Sequence, residues 1–311
     1  MCGRSLATAP YSPNRRHIWR YDAGSLRKGF GVKLFRLVCA AACAAVILSA
    51  TVYGDHGAAI AAAPVPKAKA SLTPHKATYV LHLLRTRSGE GVRVARGSMT
   101  YILSDRCDGY TIESNVSMNL SFADGNAQKI DQRYAAWEAK DGSFSSFTMQ
   151  TLENGSPGKS YRGSITLERD GSGSATFEGE KTEVFKLAPG TMLSTAHTVA
   201  LLEQAAAGKN FFSGHVIDGS FDQGPFVVSA TIAGARDGRA TLKKEGAAIS
   251  AGRYWPMSLA YFPASSKGYL PEYELGMDLL PTGISRAMTQ DFGNFSIGFT
   301  LTDIEPLKPE C

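Results

Sequence analysis

Residues 104–120 read Ser104-Asp105-Arg106-Cys107-Asp108-Gly109-Tyr110-Thr111-Ile112-Glu113-Ser114-Asn115-Val116-Ser117-Met118-Asn119-Leu120. Asp108-Gly109 is a hairpin signal, because both central residues of a type I′ turn need positive φ, which glycine adopts freely and aspartate tolerates. Beyond the turn the pattern has period two. Tyr110, Ile112, Val116, Met118 and Leu120 share one face, and Thr111, Glu113, Asn115, Ser117 and Asn119 the other, as expected of a strand with one buried side.

The punctuation repeats on the C-terminal side. Asp124-Gly125, Asp141-Gly142, Asn154-Gly155 and Asp170-Gly171 follow at intervals of 13–17 residues, with Asp218-Gly219 and Asp237-Gly238 later. Such spacing fits antiparallel strands joined by tight turns, and it leaves no room for the helix that a parallel crossover needs. Further strands are expected at 77–84, 92–103, 211–218, 226–234, 254–262, 269–280 and 294–304. One segment reads as helical, 196–207, capped by Ser194 or Thr195 and ended by Gly208. Val199, Leu202 and Ala206 share its expected buried face. The fold class is therefore all-β with one short helix. A single antiparallel sheet of a dozen or more strands curves strongly towards a barrel, since open twisted sheets of that size rarely stay flat.

Residues 1–61 read as a leader. Lys33 and Arg36 precede an apolar run from Leu37 to Leu48, and small residues follow to an Ala59-x-Ala61 site, the order of a secretory signal peptide. Cleavage is expected near Ala61, giving a periplasmic protein. The other reading is a membrane anchor, since the apolar stretch is near the lower limit of about 18 residues for spanning. Residues 1–31 are polar and rich in arginine, and Val32 is read as the true start. Residues 62–76, with Pro64, Pro66, Lys67 and Lys69, form a linker, and 77–311 a single domain. The leader removes eight of the 33 basic and two of the 28 acidic residues, leaving 25 against 26. The exported chain then lacks the clustered basic face that nucleic-acid binding requires. Cys2, Cys39 and Cys43 leave with the leader, so Cys107 and Cys311 remain, most simply as one structural disulfide. It would tie the last strand to the first hairpins, joining two ends of an unclosed sheet.

Several short motifs then occur in a fixed order: Cys107-Asp108-Gly109-Tyr110, Trp137-Glu138-Ala139-Lys140-Asp141-Gly142, the helix with His197, and Asp218-Gly219-Ser220. Trp255-Pro256, Ala260-Tyr261-Phe262, Pro271-Glu272-Tyr273-Glu274, Asp291-Phe292-Gly293 and terminal Cys311 complete it. In this order the chain resembles the EipB family of periplasmic cell-envelope integrity proteins. The resemblance implies a broken, spiral β-barrel with a disulfide at Cys107 and Cys311, and a role in stress resistance without established enzymatic activity. The expected function is maintenance of the envelope by a non-enzymatic monomer acting through contacts with another envelope protein. The alternative is a carrier that holds a lipid or other apolar ligand in the concave side.

His197, His215 and Asp218 are the constellation nearest to a metal or catalytic site, but no further ligand completes a metal set. Structural roles are expected, His197 bonding a backbone carbonyl where helix meets sheet. Glu272 and Glu274 share a strand face, as glycosidase carboxylates do, but binding of backbone groups or arginine is expected instead. Trp137, Trp255, Tyr261 and Phe262 are read as core. No catalytic residue, cofactor or metal is expected.

Overall fold

Alternation of buried and exposed side chains along nearly every strand makes one large curled sheet. The computed structural model describes residues 72–87, 91–240, 242, 246–266 and 268–310. The leader, the site at Ala61, residues 62–71 of the linker and Cys311 lie outside them. The first strands are β1 (His75–Thr86), β2 (Val92–Asp105), β3 (Gly109–Phe122), β4 (Ala127–Ala139) and β5 (Phe144–Glu153). Then come β6 (Ser156–Leu167), β7 (Gly173–Glu178), β8 (Thr182–Leu187), β9 (Thr191–Leu193) and helix α1 (Ser194–Ala206). The second half holds β10 (Phe211–Ile217), β11 (Phe226–Ile232), β12 (Arg236–Gly238) and the short helix α2 (Gly246–Ser250). It ends with β13 (Gly252–Pro263), β14 (Tyr273–Leu279), β15 (Ser285–Asp291) and β16 (Phe295–Pro306).

The all-β, strongly curved sheet is borne out. Its strand order is β8-β7-β6-β5-β4-β3-β2-β1-β16-β15-β14-β13-β11-β10-β9, with β12 pairing to the side of β13. The sheet is mixed rather than wholly antiparallel, because the three-residue β9 runs parallel to β10. One expectation is overturned. First and last strands are not the ends of the sheet: β1 and β16 pair antiparallel, from His75 opposite Pro306 to Thr86 opposite Phe295. The unsealed ends are β8 and β9, which are neighbours in sequence. The curl therefore starts and finishes in the middle of the chain.

The inward rows are mostly apolar. Leu81, Met118, Leu120, Ile130, Ile165, Leu259 and Phe299 are fully buried, each stabilising by roughly 2 kcal/mol relative to exposure. In β3 the buried set is the expected alternating one, with Ser114 added.

Other expectations change in detail. At the opening hairpin the positive φ (66°) falls on Cys107 and not on Gly109. The turn is Arg106-Cys107-Asp108, closed by N–H of Arg106 to the carbonyl of Gly109 at 2.9 Å. Gly109 is glycine for room, since a Cβ there would overlap the Trp137 indole. The turn with both central residues at positive φ is Asn154-Gly155, at 53° and 82°. Packing also begins before residue 77. Leu72 is buried, N–H of Thr73 donates to the Thr282 carbonyl at 3.0 Å, and β1 starts at His75, so the last residues assigned to the linker belong to the domain. Strand β14 starts at Tyr273 rather than 269, leaving Tyr269 and Leu270 exposed in the preceding loop.

Helix α1 ends as expected, with Gly208 in the left-handed region (φ 69°) just beyond its C-cap. Its N-cap is Leu193, which makes no side-chain cap, so neither Ser194 nor Thr195 fills that position. Ala206 is exposed. Thr195, His197, Val199, Ala200, Leu201, Leu202 and Ala205 are buried on more than one side, because the helix lies inside the curl rather than flat on a sheet.

Candidate functional site

Two features of the curl bear on function: its unpaired edge and what fills it. Strand β8 pairs with β7 from Glu178 opposite Thr182 to Gly173 opposite Leu187, and among the described residues no strand pairs with its other side. Val184 points outward at 67% exposure. An unpaired edge presents a row of backbone donors and acceptors, which proteins protect or use to bind an extended partner.

Below that edge the seam is bridged by side chains. The loop 218–225 between β10 and β11 spans it. Asp222 pairs with Lys159 of β6. The Phe147 ring of β5 occupies the space a Cβ of Gly219 would need, and the Phe185 ring of β8 that of Gly224. Phe221 stacks on Tyr273 of β14, centroids 5.3 Å apart. Glycine at 219 and 224 thus lets aromatic rings from one side of the seam rest on backbone from the other.

The interior is occupied. Glu138 of β4 is buried and takes the place of a local helix cap. Its Oε2 accepts N–H of Thr195 at 2.9 Å and the Thr195 hydroxyl at 2.5 Å, and its Oε1 accepts the Ser194 hydroxyl at 2.6 Å. Burial raises its pKa against the pull of those bonds, and the charge of nearby Asp218 adds to the rise. A carboxylate at a helix N-terminus meets the positive end of the helix dipole. Sequence reasoning missed Glu138, for which the available signal was an acidic residue at an inward position of a strand. Between α1 and the inner faces of β1, β2, β14 and β15 there is a cavity of about 40 Å³, lined by Tyr79, Met99, Leu103, Thr195, Thr198 and Met288 among others. Ligand pockets for small molecules are roughly 300–1,000 Å³. The concave side is mainly apolar, with Ser114, Gln132, Glu138, Thr151 and Gln290 buried among the apolar rows, and it is filled by its own side chains and by α1.

His197, His215 and Asp218 do not make a site. His197 is fully buried on α1, 5.9 Å from the Phe212 ring, and neither ring nitrogen has a hydrogen-bond partner. The expected carbonyl bond is therefore absent, and burial lowers its pKa to about 3. His215 is half-buried on β10. Asp218 accepts N–H of Ser220 at 2.7 Å and its hydroxyl, an Asx turn that starts the seam loop, and burial raises its pKa. No group of three or more metal-ligating side chains occurs among the described residues. Glu274 lies opposite Asp291, which pairs with Arg85. Burial first, and then Asp291, raise the Glu274 pKa. N–H of Glu272 donates to the Tyr261 carbonyl at 2.8 Å. Tyr261 is core, stacked on Tyr273 at 4.4 Å, whereas Trp137 faces outward and is half-buried.

Near Cys107, N–H of Glu310 donates to the Asp105 carbonyl at 3.1 Å and Arg106 pairs with Glu310. The tail before Cys311 thus ends beside the turn that holds Cys107.

Comparison with known proteins agrees with this architecture. The family model described as EipB-like matches residues 66–308. The chain is 28% identical over 277 residues to the cell envelope integrity protein EipB of Brucella abortus, covering 88% of this chain and 95% of that one. It also superposes on the crystal structure of a beta-barrel-like protein from Brucella abortus. The TM-score is 0.71 at 26% identity, and 77% of this chain and 100% of that one are covered.

Proposed function

The chain belongs to the EipB-like family, and from that premise we propose that it is an exported, non-enzymatic protein of the cell envelope that supports envelope integrity by binding a partner protein along β8. The observation that carries this is the free edge of β8 with Val184 exposed beside it. Strand addition there needs no opening of the fold, because among the described residues the far side of β8 has no pairing strand. Its name gives the Brucella relative a role in envelope integrity, and the leader 1–61 supplies export with cleavage near Ala61. A carrier needs a hollow concave side, and the filled interior gives that reading no support.

A photo-crosslinking residue at Val184, compared with one at Thr289 on the outer face of mid-sheet β15, tests the edge in cells. The expected result is capture of one envelope protein from position 184 and none from 289. Val184→Lys, a charge of the kind that blunts exposed edges, should sensitise cells to detergent and cell-wall antibiotics, and a deletion should do the same. Equal capture from both positions, or a variant as resistant as its parent, would overturn the reading.

A further inference from the structure

The outer face of the sheet carries a depression of about 510 Å³ across β3 to β7. Its lining ends at Glu178 of β7 and includes no residue of β8, although Val184 of β8 stands opposite Thr176 at the end of one of its rows. Its origin is a run of small side chains where neighbouring ones are large. Thr111, Trp137, Ser146, Ser164 and Thr176 stand opposite one another in one cross-strand row. In the next row Ala135, Thr148, Arg162 and Glu178 do the same. Ala135, Ser146 and Ser164 form a low floor, with Trp137 as one wall and the Arg162–Glu178 pair as the other.

Each part has a definite chemistry. One side of the Trp137 indole rests on the backbone of Gly109, which has no Cβ to lift it off. The Phe144 ring stands 6.2 Å away, so the indole is held as a fixed platform lining the groove. Arg162 donates through Nε to Glu178 Oε2 at 2.9 Å, which leaves the Arg162 Nη groups and Glu178 Oε1 as donors and acceptor in one place. Their charges cancel, so the groove does not select an anion. The floor adds hydroxyls, and successive strands space them about 4.8 Å apart.

We propose that this groove binds a neutral oligosaccharide, with Trp137 stacking against a sugar ring and Ser146, Ser164, Arg162 and Glu178 bonding its hydroxyls. The volume lies within the range of built ligand sites. An extended peptide is disfavoured here, because β4, β5 and β6 are each paired on both sides and have no backbone groups left to offer it. A lipid chain is disfavoured by the hydroxyl floor.

The test is retention of the purified protein on an array of neutral oligosaccharides that includes maltohexaose and N-acetylchitotetraose, followed by fluorescence titration with whatever is retained. At least one oligosaccharide should bind. Trp137→Ala should weaken it about ten-fold, the scale of one aromatic contact. Ser146→Phe, at an exposed position where a ring fills the groove, should abolish binding with the melting temperature unchanged. This variant carries the test even if Trp137→Ala perturbs folding. Val184→Lys, beyond the groove's lining, should bind as the parent does, which distinguishes this site from the partner edge. A blank array, or a bound oligosaccharide indifferent to Ser146→Phe, would overturn the proposal.

Discussion

His197 shows what a single buried side chain does to stability. Its imidazole sits in α1 with no partner for either nitrogen, and burial holds its pKa near 3, against about 6.5 in an unfolded chain. Below pH 6.5 the unfolded chain takes up a proton that the folded one refuses. Its contribution is therefore fully present above that pH and is lost as pH falls towards 3, by up to about 1.4 kcal/mol per pH unit. Glu138 and Asp218 act in the opposite sense, since their raised pKa values favour the folded state as pH falls. Comparison with a variant isolates the histidine. Urea unfolding of His197→Leu at pH 7 and pH 4.5 should show equal or higher stability at pH 7, because an apolar side chain replaces a buried polar one that has no partner. The loss on acidification should also be smaller than in the parent. An identical loss in both proteins would mean that His197 is not the group that titrates.

At the scale of elements, α1 depends on a strand distant in sequence. Its first turn needs acceptors, and Glu138 of β4 supplies them across the interior. Glu138→Ala leaves the N–H of Thr195 and two hydroxyls without that partner, and should lower stability at pH 7 by roughly 3 kcal/mol. Glu138→Gln keeps one carbonyl acceptor and should lose less. The parent should lose part of its stability as pH rises from the unfolded carboxyl value through the raised folded one, because the folded state holds the proton longer. Glu138→Gln should remove that component. Denaturant unfolding across pH 4 to 8 checks both statements. If Glu138→Ala is as stable as the parent, the carboxylate is not acting as the cap.

For the whole molecule, pairing of β1 with β16 changes what a Cys107–Cys311 bond would do. It would not join the open ends of the sheet, which are β8 and β9. The last strand is already held along β1, and the tail is held by Leu307 to Pro74 and by Glu310 to Asp105. We propose that the bond acts mainly by restricting the unfolded chain, by about 5 kcal/mol at most for so long a loop. Cys107→Ser, Cys311→Ser and the double variant should then melt at similarly lowered temperatures, as expected when two residues make one interaction. Amide protection of β16 should be unchanged in all three. Additive losses, or selective fraying of β16, would contradict this.

What the sequence determined by itself is local. Period-two alternation from Tyr110 to Leu120, the Asx-Gly turns from Asp124 to Gly171 and the Gly208 helix stop specify strands, a helix end and an all-β class, because each depends on neighbours along the chain; Asp237-Gly238, read as a turn, lies instead in β12. Short polar β15 (Ser-Arg-Ala-Met-Thr-Gln-Asp) and three-residue β9 had no such pattern to show. The rest is decided by groups that meet only in the fold. Closure of β1 on β16 leaves the edges at β8 and β9, and Glu138 caps a helix that begins 56 residues later in the chain. Gly109 and Gly219 are small because rings from other strands rest on them. The groove beside Trp137 exists because four strands bring small side chains into line with it. Each of these needs contacts between residues far apart in sequence, and chain order alone does not encode them.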